Sequence, residues 1–213
     1  MLAPYLPTAL NFVASFILIQ VEILKGPASI LYGQIQPGGL VNIITKKPQD
    51  VASLRFDVSS NSYSTGVSEF GEDNSFTGTV DATGPLNDQK TWLYRFIVSA
   101  EDTNSYRQDV DTQNYYLFPT LTYRPNTDTE VTFGLELQSE TRVPDDGLAV
   151  LNHDINQISS FDTHYQSADD TAEDKGLVAF ATFNTMVTDN FDITVDWRSV
   201  WHEDTRSVYE SRE

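Results

Sequence analysis

Apolar and polar side chains alternate along most of the chain from residue 51 onward. The apolar positions of the four clearest segments are Trp92, Tyr94, Phe96, Val98 and Ala100; Tyr115, Leu117, Pro119, Leu121 and Tyr123; Val131, Phe133, Leu135 and Leu137; and Phe191, Ile193, Val195 and Trp197. A period of two places successive side chains on opposite faces of a β-strand. The pattern predicts an all-β protein with seven strands, at about 51–59, 74–83, 90–101, 112–124, 129–141, 175–187 and 190–202. Pro119 lacks a backbone donor, so we expect a bulge or weaker pairing at that position.

The lengths of the predicted strands and of their connections favour a membrane barrel over a soluble sandwich. Strands of soluble proteins average about five or six residues, whereas a tilted strand that crosses a bilayer needs about nine to eleven. Short links alternate with long ones, the short links being 84–89, 125–128 and 188–189 and the long links 60–73, 102–111 and 142–174. Outer-membrane barrels show this alternation, with short periplasmic turns and long external loops. The apolar faces are therefore predicted to contact lipid and the opposite faces to line the lumen.

Composition narrows the possible functions. The chain has 213 residues and a formal net charge of -18, from 31 acidic and 13 basic residues, so it repels nucleic-acid backbones and is not expected to bind DNA or RNA. The absence of cysteine excludes disulfides, thiolate metal sites and cysteine catalysis. No nucleophile–base pair stands out and the three histidines, His153, His164 and His202, are scattered, so we expect no catalytic residue, metal site or cofactor. Aromatic-rich strands alone would also fit a soluble carbohydrate-binding sandwich.

Residues 1–20 match no recognisable element. The run Phe12–Ile19 is apolar but too short for a membrane-spanning helix, which needs about 20 apolar residues. Neither a positively charged start nor a small-residue cleavage site is evident, so no signal peptide is assigned. A buried strand or helix and a segment outside the fold remain the alternatives for this stretch.

Residues 21–48 read VEILKGPASILYGQIQPGGLVNIITKKP. They predict a strand, a tight turn, one helical turn, a glycine loop and a second strand from Leu40 to Thr45. Pro27 suits the first position of the helical turn, where a missing N–H costs nothing, and Gly33 can end it in the left-handed conformation. A phosphate-binding loop is not supported, because neither glycine-motif spacing is present. The glycines are instead expected to be structural, since they permit turns that a Cβ would obstruct.

This stretch resembles the C-terminal end of the plug domain of TonB-dependent siderophore receptors. The matching positions are Val21, Glu22, Leu24, Lys25, Gly26, Pro27, Leu31, Tyr32, Gly33, Pro37, Gly38, Gly39, Val41, Asn42, Lys46 and Pro48. Farther along, 80–88 is similar to the family's first periplasmic turn and 119–123 to one of its barrel segments. Residues 145–148 are similar to the start of a long external loop. The resemblance covers about residues 21–148.

The resemblance implies the C-terminal end of a plug domain at 21–49, followed by the N-terminal part of a transmembrane antiparallel β-barrel at 50–213. About seven of the roughly 22 strands of such barrels would be present, so a fragment is expected. It further implies a receptor in a Gram-negative outer membrane that takes up a ferric siderophore with energy from the TonB complex. The alternative is a non-transporting remnant, or a small structural or adhesive β-protein.

Specific residues follow from this reading. Gly26, Pro27, Tyr32, Gly33, Pro37, Gly38, Gly39 and Asn42 form the structural plug motif. Glu22 and Lys25 are predicted to make polar contacts between plug and barrel wall, because a buried charge needs a partner. The segment 140–174 is predicted to be an extracellular loop, with nine acidic residues and the single Arg142. Phe161 and Tyr165 are its expected ligand contacts, and its acids would serve solubility or divalent bridging to lipopolysaccharide.

Overall fold

The computed structural model describes residues 17–25, 39–62, 74–147, 160–167 and 169–207. This part of the chain is organised as β1 (Leu18–Lys25), β2 (Gly39–Thr45), β3 (Ser53–Ser62), β4 (Asn74–Pro85), β5 (Trp92–Asn104), β6 (Asp111–Tyr123), β7 (Thr129–Arg142), β8 (Thr171–Thr188) and β9 (Phe191–Ser207). β1 and β2 form an antiparallel hairpin, and β3 to β9 form one antiparallel sheet in which each strand pairs with the next along the chain. The all-β prediction and its seven sheet strands are confirmed. No helix in the described ranges is long and apolar enough to cross a membrane.

The connections between the sheet strands alternate between the two ends of the sheet. At one end the links 86–91, 124–128 and 189–190 have six, five and two residues; at the other end 63–73 and 143–170 have eleven and 28 residues, and 105–110 has six. Because every neighbouring pair is antiparallel, alternate links fall at the same end of the sheet. We call these ends the short-turn end and the long-loop end. The predicted long links are confirmed at 63–73 and 143–170. The third, 105–110, is no longer than the link 86–91, because β5 continues to Asn104 and β6 begins at Asp111.

The last long connection is shorter than the sequence predicted. Glu140 and Arg142 belong to β7, and Glu173 and Asp174 belong to β8, so the connection runs over 143–170 rather than 140–174. Acidic side chains suggested a loop, but here the ladder continues through them: Glu140 pairs with Asp174, and the imidazole Nδ1 of His202 on β9 lies 3.3 Å from the Asp174 carboxylate. Cross-strand pairing outweighs the low strand propensity of these charges.

In a soluble protein the apolar face of a sheet is buried and the polar face is exposed. In this sheet the mostly polar face is buried and the apolar face is exposed. On one side, the inner face, mostly polar side chains are buried: Thr77, Thr79, Asp81, Thr83, Leu93, Arg95, Ile97, Ser99, Tyr116, Phe118, Thr120, Thr122 and Thr132. On the other side, the outer face, large apolar side chains are exposed: Phe76, Trp92, Phe96, Tyr115, Phe133, Leu135, Phe183, Ile193, Val195, Trp197 and Trp201. The strand parity predicted from sequence is confirmed, and the exposed apolar surface requires an apolar environment or a partner.

Pro119 interrupts the ladder without shifting it. β6 pairs with β7 at Leu117↔Leu137 and again at Thr120↔Gly134, with the same register on both sides of the gap. The expected local weakening is present, because the two intervening pairs are missing. The expected bulge is absent from this pairing.

The hairpin side of the sheet carries a small aromatic core. Ile17, just before β1, packs with Ile97, Tyr116 and Phe118 of the inner face, and Phe180 lies against this cluster. The Phe118 and Phe180 rings stack with centroids 6.0 Å apart. The hairpin therefore lies on the inner face, where apolar contacts add to the polar ones described next.

Candidate functional sites on the inner face and at the long-loop end

A buried ion-pair cluster lies on the inner face toward the short-turn end. Arg95 donates from Nε to Asp81 Oδ1 at 2.9 Å and from Nη2 to Asp81 Oδ2 at 2.6 Å. Lys46, in the segment that follows β2, donates from Nζ to the same Oδ2 at 3.0 Å. The side chains of Arg95 and Asp81 are 9% and 7% exposed. One buried carboxylate thus joins two cations from different parts of the chain.

The same region holds the backbone that leads from the hairpin into the sheet. The third nitrogen of Arg95, Nη1, donates to the carbonyl oxygen of Lys47 at 2.9 Å. Thr83 accepts from the Gln49 N–H at 2.9 Å and donates to the Tyr94 carbonyl at 2.8 Å. Asp81, Thr83 and Arg95, which we call the inner-face cluster, therefore contact three residues of the connecting segment 46–49.

The sequence predicted the polar contacts between plug and barrel wall at Glu22 and Lys25, not at the inner-face cluster. The backbones of Glu22 and Lys25 pair with Asn42 and Gly39, and their side chains lie outside the described part of the structure. That prediction stays open. A signal for the inner-face cluster was present in the sequence. Arg95 falls on the face that the alternation assigns to the interior, where a buried charge requires a partner.

The plug-motif residues are only partly described. Gly39 opens β2, and Asn42 lies in the middle of that strand. The residues Gly26, Pro27, Tyr32, Gly33, Pro37 and Gly38 lie outside the described ranges.

Two loops meet at the long-loop end. The Gln108 N–H donates to the Asp162 carbonyl at 2.9 Å, and Arg107 Nη1 lies 2.8 Å from Asp145 Oδ1. The hydrogen bond to the Tyr106 hydroxyl is the main cause that raises the pKa of Arg107 above its ordinary value, and the charge of Asp145 adds to it. An arginine is charged at neutral pH in any case. These contacts join 105–110 to the ends of 143–170 and surround an open polar cavity of about 570 Å³.

The predicted ligand contacts lie beside this cavity region. Phe161 is 69% exposed and Tyr165 is 50% exposed, and both belong to the described stretch 160–167. Asp162 lies between them and lines the cavity. Among the described residues, no group of three or more His, Asp or Glu side chains is arranged to hold a metal ion. The long-loop end therefore carries two exposed aromatic side chains next to a polar cavity.

Comparison with known proteins finds relatives of this chain among outer-membrane receptors. No family model matches the chain. The metal-pseudopaline receptor CntO of Pseudomonas aeruginosa is 35% identical over 135 residues, which is 63% of this chain and 18% of that receptor. The ferrichrome outer membrane transporter/phage receptor of Escherichia coli K12 is 30% identical over 127 residues, which is 59% of this chain and 15% of the transporter. The chain thus corresponds to less than a fifth of the length of these relatives.

Solved structures agree with the fold. The open form of the ferric-catecholate import receptor Fiu of Escherichia coli K12 superposes with a TM-score of 0.70 and 24% identity, over 88% of this chain and 29% of the receptor. The pyoverdine outer membrane receptor FpvA of Pseudomonas aeruginosa superposes with a TM-score of 0.69 and 18% identity, over 92% of this chain and 28% of the receptor. The sequence relatives and the structural neighbours are different proteins of the same kind, and the chain is similar to TonB-dependent siderophore receptors over the part that it shares with them.

Proposed function

We propose that the chain forms part of an outer-membrane receptor, with the end of a plug at 21–49 and the first part of a barrel wall at 50–213. The observation that carries this proposal is the inverted sheet, with its exposed apolar outer face and a hairpin on its buried polar inner face. A wall with lipid outside and a plug inside has this distribution of side chains. Ile17 and the first residues of β1, from Leu18, already belong to the hairpin, and residues 1–16 have no assigned role.

The membrane setting follows from the outer face. Apolar side chains of β5 to β9 form a broad exposed surface, and the Trp92 and Tyr123 rings stack at 4.4 Å near its short-turn end. Aromatic rings of this kind favour the boundary between lipid and water. In this proposal the outer face contacts outer-membrane lipid and the long-loop end faces the exterior, where its acids bridge through divalent cations to lipopolysaccharide.

The cargo is a ferric siderophore in this proposal, and uptake depends on the TonB complex. The names of the relatives support it, because they are a metal-pseudopaline receptor, a ferrichrome transporter and a ferrioxamine receptor. Phe161 and Tyr165 supply apolar contact to the chelate at the long-loop end. The role is transport, and no step of it needs a catalytic residue of this chain.

Uptake of radioactive iron tests the proposal directly. The receptor of which this chain is proposed to form part is expressed in a Gram-negative host that lacks its own siderophore receptors, and hydroxamate, catecholate and pyoverdine-type chelates are supplied singly. We expect the chain in the outer-membrane fraction and iron uptake with one chelate class, abolished in a TonB-deficient host. Outer-membrane insertion without uptake of any chelate would contradict transport and support a structural or adhesive β-protein. Recovery outside the outer membrane would contradict the membrane assignment itself.

A further inference from the structure

The inner-face cluster has a feature that uptake alone does not require: each of the three side-chain nitrogens of Arg95 donates a hydrogen bond. Two nitrogens of Arg95 bind Asp81 and the third binds the Lys47 carbonyl, which is a backbone atom of the connecting segment. A buried guanidinium is tolerated only when its charge and donors are satisfied. Release of the segment would therefore leave Arg95 with an unpaired donor and Asp81 without its second cation, Lys46.

The connecting segment is fixed at three closely spaced points. Lys46 is held through its side chain, Lys47 through its carbonyl and Gln49 through its N–H. Pro48, between the last two, is buried and has a restricted φ angle. Four consecutive residues thus have little freedom to move away from the sheet, whereas the Lys47 side chain itself is exposed.

We propose that Asp81, Thr83 and Arg95 act as a clamp that fixes 46–49 to the sheet, so that a displacement of the chain upstream of Lys46 stops there and does not reach β3. The clamp requires only that the hairpin lies on the inner face, and it is independent of what the protein transports. It makes Arg95 a positioning residue for the connection between hairpin and wall.

Limited trypsin digestion of the full chain in detergent tests the clamp. Trypsin cuts after Lys46, whereas the bond after Lys47 resists because proline follows. We expect Asp81→Asn, Arg95→Lys and Thr83→Val each to raise cleavage after Lys46. For the two ionic variants we expect about ten-fold, equivalent to ~1.4 kcal/mol of opening free energy. Cleavage after Arg107, at the opposite end of the sheet, is the internal standard for global unfolding.

Glu173→Gln is the matched control, because it also changes a carboxylate to an amide, in an exposed ion pair of β8 at the long-loop end of the sheet. Lys175 Nζ lies 2.7 Å from Glu173 Oε1, and the two side chains are 51% and 42% exposed. This variant is expected to leave cleavage after Lys46 unchanged. Unchanged cleavage in all three clamp variants would overturn the proposal. So would a rise after Arg107 equal to the rise after Lys46, since global loosening would then account for the result.

Discussion

Gly134→Ala tests the packing of the inner face at one methyl group. A Cβ built on Gly134 would lie 2.2 Å from Phe180 Cζ and 2.5 Å from its Cε1, far inside van der Waals contact. These residues are direct cross-strand partners in β7 and β8, so the ring covers the glycine. Because the ring is rigid, Phe180 must turn away and lose its stacking on Phe118, a side chain with no exposed surface.

The expected magnitude results from two opposing terms. Overpacking of a well-packed site costs about 1–3 kcal/mol, whereas replacing glycine by alanine inside a strand gains about 0.5–1 kcal/mol. We expect Gly134→Ala to lower the free energy of unfolding by about 1–2 kcal/mol on balance. The measurement is urea-induced unfolding of the full chain in detergent micelles, followed by tryptophan fluorescence.

Gly78→Ala is the matched control for this substitution. Nothing lies within 4 Å of a Cβ built on Gly78, which faces outward on β4. We expect that variant to be neutral or slightly stabilising. In the Phe180→Leu background, Gly134→Ala should lower the free energy of unfolding by less than it does in the unmodified chain, since the ring that clashes is gone. Equal stability of Gly134→Ala and Gly78→Ala would refute the reasoning.

Three further predictions concern the faces and ends of the sheet. Phe133→Arg on the outer face is expected to cost about 2–4 kcal/mol in lipid, by unfolding in bilayers. Val200→Arg is expected to cost less, because Val200 lies on the inner face and is 62% exposed, and equal costs would contradict the lipid assignment. A cysteine at Ser167 is expected to react with an impermeant maleimide on intact cells and one at Thr127 only after outer-membrane disruption, and the reverse pattern would invert the orientation. Thr122→Val should lower the free energy of unfolding by about 1–3 kcal/mol, because the buried Thr132 hydroxyl, 2.9 Å away, loses its hydrogen-bond partner. The double variant Thr122→Val/Thr132→Val should be nearly neutral in the same unfolding assay.

The strand pattern of the sheet was predictable because its chemistry is local. Period-two alternation places each side chain on a face, and antiparallel pairing of consecutive strands places successive links at opposite ends. The charged ends of β7 and β8 were not predictable in this way. Glu173 and Asp174 look like loop residues in sequence, and only the pairing of β8 with strands on both sides carries the ladder through them.

The inner-face cluster was beyond sequence reasoning for a different reason. Lys46 lies 35 positions from Asp81 along the chain, and no spacing rule relates the two. The alternation shows that Arg95 faces inward and needs a partner, but several acidic residues would satisfy that need equally. Only the register of β4 with β5, which sets Thr83 opposite Arg95, brings Asp81 within reach.

The lengths of β8 and β9 have a consequence for how the protein sits in a membrane. These strands have 18 and 17 residues, whereas a tilted strand needs about nine to eleven to cross. The apolar outward positions of β8 run from Leu177 to Phe183. Residues 171–175 continue the strand as a charged stretch that adds about 17 Å at about 3.4 Å per residue. In the proposed setting the length of the apolar band from Leu177 to Phe183 matches the thickness of the bilayer. Lys175→Leu would lengthen this band by one outward position. The longer band would force tilting or local thickening of the bilayer, at fractions of a kcal/mol per Å of mismatch, and would favour thicker membranes.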